Sequence, residues 1–390
     1  MKILNALILL LSGLLVSLSC TSQPADIPGE AVPADKNATR ETKALYYNLK
    51  QLQQKRILYG HQDDLAYGIH WENEPGRSDV KEVSGSYPAV YGWDVGDIGN
   101  EGAESNLDGV SFDNMREWIK EGYRQGAVIT ISWHMDNPVT GGGSWDTTKA
   151  AAKLLPGNEL NSKYQSMLDR FAAFVKTLKI EKEGKEVMIP IIFRPFHEFS
   201  GSFFWWGKNH ITATEFKQLW KFTIDYLQQK HELHNLLYAY SPNALSEFEN
   251  EEYWNRYPGD DYVDLLGFDD YYTLQGGYGH EDGIAALGKD LAWLVEQARE
   301  RGKIAALTET GQEGFPDHDW WMMLLDAFKS QSQSDEIAYV LTWRNAPEDK
   351  MEGHFFGPAP GHPSAEYFKK FASDTLIWLQ DDLPDLYTFK

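Results

Sequence analysis

Two glutamates in this 390-residue chain stand where acid–base chemistry could be carried out. Glu198 ends the apolar run 188–198, Glu309 lies near the end of the run 304–311, and a small or turn-forming stretch follows each. Two carboxyl groups that face each other across a cleft are what hydrolysis of a glycosidic bond requires. One protonates the departing oxygen, and the other attacks the anomeric carbon or activates water. The pair therefore predicts a glycosidase if the fold brings the two side chains together.

The two carboxyl groups would need different pKa values to share this work. A group that donates a proton near neutral pH needs surroundings that raise its pKa, whereas a nucleophile must stay ionised beside hydrogen-bond donors or positive charge. Arg194 lies four residues before Glu198 and therefore on the same face of an extended strand. It could hold a carboxylate ionised, or it could form a purely structural ion pair.

Eight short runs rich in β-branched and aromatic residues predict eight strands, most of them continuously apolar, as buried parallel strands are. They cover 57–62, 87–94, 127–136, 188–198, 236–243, 263–272, 304–311 and 338–345. Apolar residues at helical spacing predict helices between most of them. These helices cover 39–55, 111–125, 164–178, 212–230, 283–301 and 318–330, and the WWMMLL run at 320–325 is interpreted as core packing.

Strand and helix alternating eight times predict an α/β fold, a single (β/α)8 TIM barrel over 39–390. A doubly wound sheet is disfavoured because no Gly-rich phosphate loop follows the first strand. In a barrel the carboxyl ends of all strands converge on one face, where barrel enzymes have their active sites. The residues at these ends are His61, Gln62, Asp94, His134, Asp136, His197, Glu198, Asn243, Asp269, Tyr271, Tyr272, Glu309, Trp343 and Arg344.

The chain is rich in aromatic residues, with 14 Trp, 20 Tyr and 19 Phe. Sugar rings present apolar faces, and aromatic side chains can stack on them while polar neighbours bind the hydroxyl groups. The candidates at or just beyond strand ends are Trp205, Trp206, Tyr271, Tyr272 and Trp343. Core packing is the alternative for each of them.

The charge balance argues against a polyanionic partner. The chain has 36 Lys and Arg against 58 Asp and Glu, which gives a formal net charge of −22, and its sequence contains no cluster of basic residues. We therefore expect no nucleic-acid partner, since phosphate binding needs a basic face. Cys20 is the only cysteine, which excludes an intramolecular disulfide and a cysteine-built metal site.

The N-terminus predicts export. Residues 1–19 have one lysine and an apolar run too short to span a bilayer, which is typical of a signal peptide. Cys20 directly after it resembles the lipidated cysteine of bacterial lipoproteins, with ordinary signal cleavage nearby as the alternative. Residues 20–38 would then be a flexible tether. We expect an outer-membrane lipoprotein that faces the periplasm rather than the cell surface, because no acidic cluster follows the cysteine.

Four motifs together resemble one known family. They are RPFHEFSG at 194–201, FWWG at 204–207, TETG at 308–311 and TWRN at 342–345. The chain from 39 to 390 resembles glycoside hydrolase family 26, whose members are mainly β-mannanases, retaining enzymes with a (β/α)8 fold. The resemblance implies a β-mannan polysaccharide or manno-oligosaccharide as substrate, and double displacement as mechanism.

The resemblance also implies roles for individual residues. Glu198 would be the acid/base and Glu309 the nucleophile. The other residues would orient these carboxylates or bind sugar. His197 would lie beside the acid/base, His134 would contact sugar, Tyr271 or Tyr272 would lie near the nucleophile, Trp343 would form a platform with Arg344 beside it, and Trp205 or Trp206 would form a platform on the leaving-group side. Apart from the resemblance, their positions on predicted strands make Arg194 and Asp269 candidates for supporting the pair.

Other functions remain open at this point. Relatives within the family cut β-1,3-xylan or mixed-linkage β-glucan with the same two glutamates. A glycan-binding lipoprotein without catalysis would share the aromatic residues and the anchor, but it does not need paired carboxylates. A metal-dependent hydrolase is disfavoured because the HE pair at 197–198 lacks the second histidine of an HExxH motif. We expect no cofactor, no metal and a monomer, and either attack within chains or release of mannobiose.

Overall fold

Eight parallel strands close into a barrel in the computed structural model, which describes residues 28–29, 32–245, 250–275 and 280–389. Consecutive strands pair in chain order, and the eighth pairs with the first. The predicted (β/α)8 barrel is therefore confirmed. The strands are β1 (Ile57–Gln62), β2 (Val90–Asp94), β3 (Val128–Ser132), β4 (Ile191–Arg194), β5 (Leu236–Tyr240), β6 (Leu265–Asp270), β7 (Ile304–Thr310) and β8 (Tyr339–Thr342).

Every residue of these eight strands is buried. Their side chains point alternately into the barrel and towards the surrounding helices, so neither face meets water and both faces favour apolar residues. This is why the strands appear in the sequence as continuous apolar runs. The observed strands lie within the predicted ranges. The first strand has the predicted bounds, and the other seven are shorter, in several cases because the prediction included the loop residues that carry the polar side chains.

The six predicted helices are present, with bounds that differ from the predicted ranges by several residues at some ends. Four shorter helices, two β-hairpins and a short strand at Ile377–Trp378 beside β1 were not predicted. The hairpins pair Tyr67–Gly68 with Trp71–Glu72 and Lys179–Lys182 with Lys185–Met188. The helices are α1 (Arg40–Leu52), α2 (Asp79–Ser84), α3 (Phe112–Arg124), α4 (Ala151–Leu154), α5 (Asn161–Val175), α6 (Ala213–Asp225, continued by a π-helical turn over Tyr226–Lys230), α7 (Asn250–Asn255), α8 (His280–Arg301), α9 (Trp320–Ser330) and α10 (Ala365–Ala372).

Aromatic side chains fill the space between the barrel and its helices. The ring of Tyr59 on β1 lies 5.9 Å from that of Trp321 on α9 and 5.0 Å from that of Phe368 on α10. Trp320 and Trp321 are fully buried, which confirms that this run is core packing. Part of the aromatic excess therefore has a structural use.

The N-terminal segment reaches the end of the barrel opposite to the carboxyl ends of the strands. The predicted signal peptide over 1–19 and Cys20 lie outside the described residues. Of the predicted tether, Ala34 donates its N–H to Asp264 at 2.6 Å, and Asp35 contacts His234 Nδ1 at 2.7 Å. Asp264 and His234 lie just before β6 and β5. In the described part of the chain no helix has the length and apolar character needed to cross a bilayer.

Replacement of Trp321 by Ala should destabilise the fold by about 3–5 kcal/mol, because it empties a fully buried site between α9, α10 and β1. Urea unfolding followed by circular dichroism would measure the loss. Trp145→Ala is the matched control, since that tryptophan is 65% exposed and should change the free energy of unfolding by less than about 1 kcal/mol. Equal losses in the two variants would contradict this assignment of the core.

Candidate active site

Three acidic side chains from distant parts of the sequence meet at the carboxyl end of the barrel. Glu198 follows β4, Asp269 lies on β6 and Glu309 on β7. Each offers a carboxylate oxygen that lies within 4.8 Å of the others. The structure therefore brings the two predicted catalytic glutamates together, and it adds Asp269 beside them.

The backbone around Glu198 is held in an uncommon conformation. Its φ is 54°, in the left-handed region that residues other than glycine rarely adopt. The N–H of Glu198 donates to Ser241 O at 2.8 Å, and its carbonyl accepts from Gly201 N at 3.0 Å. Strained residues of this kind persist only where the surroundings hold them, and they cluster at functional sites. The turn places Glu198 half-buried at the rim of the site, while Glu309 is buried.

Arg194 neutralises two of the three carboxylates. Its Nη1 donates to Asp269 Oδ2 at 2.6 Å and to Ser241 Oγ at 3.0 Å, and its Nη2 donates to Glu309 Oε1. The Arg194 side chain is only 4% exposed. Burial raises the pKa of Asp269, and Arg194 with Thr308 offsets part of that effect. Arg194 therefore forms buried ion pairs with Asp269 and Glu309.

The hydroxyl of Tyr271 donates to Glu309 Oε2 at 2.9 Å, so each oxygen of this carboxylate has its own donor. Hydrogen bonds from an arginine and a tyrosine favour the ionised, nucleophilic form of a carboxyl group. Tyr272 is 51% exposed, and its backbone N–H donates to Asp270. Of the two tyrosines that the sequence could not distinguish, Tyr271 is the one at Glu309.

The cluster of Glu198, Asp269 and Glu309 is the only group of three or more His, Cys, Asp or Glu side chains within the described ranges that converges in this way. Three buried or half-buried carboxylates need a counter-charge. Arg194 supplies it from the protein itself, because it binds two of the three.

Two histidines lie beside the carboxylates. His134 Nδ1 contacts Asp94 Oδ2 at 2.8 Å, and the Nε2 atoms of His134 and His197 are 3.2 Å apart. Burial lowers the pKa of His134, but Asp94, together with Glu198 and Asp108, outweighs burial and leaves that pKa above its usual value. The pKa of His197 lies well below its usual value, because of burial first and then the neighbouring His134 and Arg194. A proton in this pair therefore belongs to His134.

Trp343 and Arg344 lie at the end of β8, and both are half-buried. The Trp343 ring centroid is 5.8 Å from that of His134. Arg344 Nη2 contacts Asp108 Oδ1 at 2.8 Å, which fixes the guanidinium at the edge of the site. Asp108 was not predicted, because it lies inside a loop with no periodic pattern.

The prediction that Trp205 or Trp206 forms a sugar platform is wrong for this structure. Both are 0% exposed, so neither offers a face to a ligand. Trp205 Nε1 donates to Met135 O at 2.8 Å, and Trp206 Nε1 donates to His197 O at 2.7 Å. They pack beneath the site and fix the loops that carry His134 and His197.

A different aromatic surface lies next to these loops. Trp145 is 65% exposed and stacks on Phe203 with ring centroids 5.1 Å apart, and its edge meets Phe204 at 5.1 Å. The Phe204 ring is in turn 5.5 Å from that of His197. The sequence carried a signal for Trp145, since a tryptophan in a Gly-rich polar loop has no helical or strand pattern that would bury it.

The comparisons with known proteins agree with this geometry. Residues 34–346 match the family described as Glycosyl hydrolase family 26. The chain is 37% identical over 326 residues to a mannan endo-1,4-beta-mannosidase of Bifidobacterium adolescentis, an alignment that covers 80% of this chain. It spans 32% of that longer protein, about a third of its length. A Bacillus subtilis protein of the same name is 27% identical over 327 residues, covering 80% of this chain and 82% of the relative.

Solved structures give the same result. The GH26 beta-mannanase BoMan26A from Bacteroides ovatus superposes with a TM-score of 0.83 and 44% identity, over 90% of this chain and 98% of the other. The catalytic domain of the GH26 endo-beta-1,4-mannanase from Bacillus sp. JAMB-750 superposes with a TM-score of 0.82 and 31% identity, over 91% and 95% of the two chains.

Replacement of Arg194 by Met should lower the free energy of unfolding by about 3–5 kcal/mol at pH 8, because it leaves two buried carboxylates without a cation. Unpaired carboxylates bind protons more readily in the folded than in the unfolded chain, so the deficit should shrink as the pH falls from 8 to 5. Thermal unfolding at both pH values would measure it.

Arg116→Met is the control for this experiment, since its ion pair with Asp113 is exposed. In that variant the free energy of unfolding should fall by less than about 1 kcal/mol, and this loss should be the same at both pH values. A pH-independent loss in the Arg194 variant would mean that its partners are not held as carboxylates.

Proposed function

Because the chain belongs to glycosyl hydrolase family 26, we propose that it is a retaining β-mannanase that hydrolyses β-1,4-mannosidic bonds in mannan, glucomannan or galactomannan. The observation that carries the proposal is the approach of Glu198 and Glu309 to within 4.8 Å on a barrel of this family. The names of the relatives direct the choice of substrate, since they are mannan endo-1,4-beta-mannosidases.

The short distance between the carboxylates favours retention of configuration. Inverting glycosidases separate their carboxyl groups by about 6.5–9.5 Å to leave room for a water molecule, whereas retaining enzymes separate them by about 5–5.5 Å. Glu309 attacks the anomeric carbon while Glu198 gives its proton to the departing glycosidic oxygen. Glu198 then takes a proton from water, and the resulting hydroxide displaces Glu309 from the sugar.

The surrounding residues support these two steps. Arg194 and Tyr271 hold Glu309 as a carboxylate aimed at the site, because each binds a different oxygen. The half-buried Trp343 next to His134 offers a platform for the sugar whose bond is cut, and the Trp145–Phe203 surface near His197 offers another on the leaving-group side. The chain acts as a monomer in this proposal, since all these residues come from one barrel.

Glu309→Ala should lower turnover of linear mannan by more than about a thousandfold, because the covalent intermediate cannot form. Glu198→Ala should be rescued by azide as the incoming nucleophile on a substrate with an activated leaving group, since Glu309 still forms the intermediate. Proton NMR of the first products should show the β-anomer. Glu186→Ala, an exposed glutamate on the hairpin, should keep full activity. The α-anomer as first product would overturn the mechanism.

The same assay on mannan, β-1,3-xylan and mixed-linkage β-glucan tests the choice of polysaccharide. Mixed oligosaccharides early in the time course would indicate attack within chains, and mannobiose alone would indicate release from an end. Turnover of xylan or glucan without turnover of mannan would leave the two glutamates in place and would contradict the sugar-binding roles of Trp343 and Trp145.

We also propose that the protein is exported and anchored through a lipid on Cys20 to the outer membrane, facing the periplasm. The apolar run before Cys20 supports this proposal. The packing of Ala34 and Asp35 against the end of the barrel opposite to the carboxylates also supports it. The 14 residues from Cys20 to Ala34 reach about 50 Å when extended. An anchor there would hold the cleft away from the membrane, where a polysaccharide can enter it.

Cys20→Ala should move the protein from the membrane fraction to the soluble fraction and should abolish its labelling by a clickable fatty acid, while Ser22→Ala should change neither. Protease added to intact cells should leave the anchored protein uncut, because it faces the periplasm. Labelling that survives in the Cys20 variant would contradict the anchor, and cleavage in intact cells would place it at the cell surface.

A further inference from the structure

Asp94, at the end of β2, is a buried acidic group that the proposed mechanism does not use. It is 0% exposed. Its Oδ2 accepts from Ser132 Oγ at 2.6 Å and contacts His134 Nδ1 at 2.8 Å, and its Oδ1 accepts from Gly96 N at 2.7 Å and from His134 N at 3.3 Å. Four donors around one carboxyl group stabilise its ionised form, since a neutral acid would lose part of them. Burial opposes this, but the histidine and the other donors lower the pKa of Asp94.

An ionised Asp94 determines where His134 carries its proton. A carboxylate only accepts, so Nδ1 of His134 must donate to it and the proton stays on that nitrogen. The same carboxylate binds the backbone N–H of His134, which fixes the ring relative to its own main chain. Nε2 of His134 is thereby directed at Nε2 of His197, 3.2 Å away.

His197 depends on this contact. Its Nδ1 is buried and has no hydrogen-bond partner in the described part of the protein, so the ring nitrogen that has a partner is Nε2, which faces His134. The backbone places His197 directly before Glu198. A chain of contacts therefore runs from Asp94 through His134 and His197 to the residue that precedes the acid/base.

Titratable groups from three parts of the barrel interact electrostatically with His134. Asp94 and Asp108 come from β2 and the loop after it, His197 and Glu198 from the segment after β4, and Asp269 from β6. The acidic groups favour a positive charge on His134, and burial and His197 oppose it. Among these acidic groups Asp94 has the largest effect on the pKa of His134, and its Oδ2 lies 2.8 Å from Nδ1 of that ring. It is therefore the group whose replacement should change the charge of His134 most.

We propose that Asp94 is a positioning residue for the reaction. By holding the Nδ1 proton of His134, Asp94 fixes the orientation and the charge of that ring beside the acid/base Glu198. The kinetic part of this inference rests on the proposed function. The protonation of the His134 ring does not depend on the substrate and can be measured without it. A positive His134 favours the ionised form of Glu198 and so lowers the pH at which the acid/base loses its proton. Asp94 acts on Glu198 only through that ring.

Asp94→Asn tests the inference, because the amide keeps the volume and removes the charge. Its kcat on mannan should fall about 10- to 100-fold with little change in KM, as happens when the group that orients a catalytic histidine is lost. The alkaline limb of kcat/KM should move upward by roughly 0.5–1 pH unit, because His134 becomes neutral. The ¹⁵N chemical shifts of the His134 ring should be recorded without substrate. In the parent protein they should show a protonated Nδ1 over the whole pH range, and in Asp94→Asn they should show that Nδ1 loses its proton within that range.

Asp264→Asn is the matched control. Asp264 is also 0% exposed and also accepts two backbone N–H bonds, from Ala34 and Tyr238, but it lies at the opposite end of the barrel. That variant should lose stability without any change in the alkaline limb or in the His134 shifts. A purely structural role for Asp94 would make the two variants alike.

Ser132→Ala gives a second test that does not remove the carboxylate. It deletes one donor to Asp94 Oδ2, so that oxygen should bind the His134 proton more tightly. The alkaline limb should then move slightly downward, opposite to the shift in Asp94→Asn. Unchanged profiles and unchanged His134 shifts in both variants would overturn the inference. Failure to cleave mannan would overturn the proposed function alone, because the ¹⁵N shifts would still test the role of Asp94.

Discussion

The guanidinium of Arg194 binds two carboxylates that the barrel has removed from water, Asp269 and Glu309. An unpaired buried charge costs several kcal/mol, so the three side chains are stable only together. They come from β4, β6 and β7, and the contact exists only when these strands stand in one closed barrel. Arg194 and Tyr271 each donate to one oxygen of Glu309, which favours the ionised form that a nucleophile needs.

A second set of buried titratable groups also lies near Glu198. Asp94, His134 and His197 form a hydrogen-bonded chain in which one carboxylate determines the state of two rings. In the first set Arg194 binds Asp269 and Glu309, and in the second His134 interacts electrostatically with Glu198. The buried Trp205 and Trp206 hold the loops that carry His134 and His197, because their indole N–H groups donate to backbone carbonyls in those loops. Their burial therefore serves the geometry of the site rather than contact with sugar.

Local sequence patterns predicted the barrel well, because a parallel strand buried on both faces must be apolar throughout and a covering helix must be apolar on one side. All eight strands and six helices were found this way. The short helices and the two hairpins were missed because they are too short to show a period, and the helix bounds differ because helix ends depend on local contacts. Glu198, Glu309 and Arg194 were recognisable because polar residues at the end of an apolar run need a reason to be there.

The sequence by itself determined the fold class, the two glutamates and the family resemblance, since these depend on residue type and on spacing along the chain. Only the tertiary structure decided that Arg194 binds Glu309 and Asp269, that Tyr271 rather than Tyr272 reaches Glu309, and that Asp94 holds His134. It also decided that Trp145 is exposed whereas Trp205 and Trp206 are buried. The physical reason is that these properties depend on which side chains from separate strands meet and on how much water they exclude. Barrel closure fixes both, and neither is encoded in any local stretch of the chain.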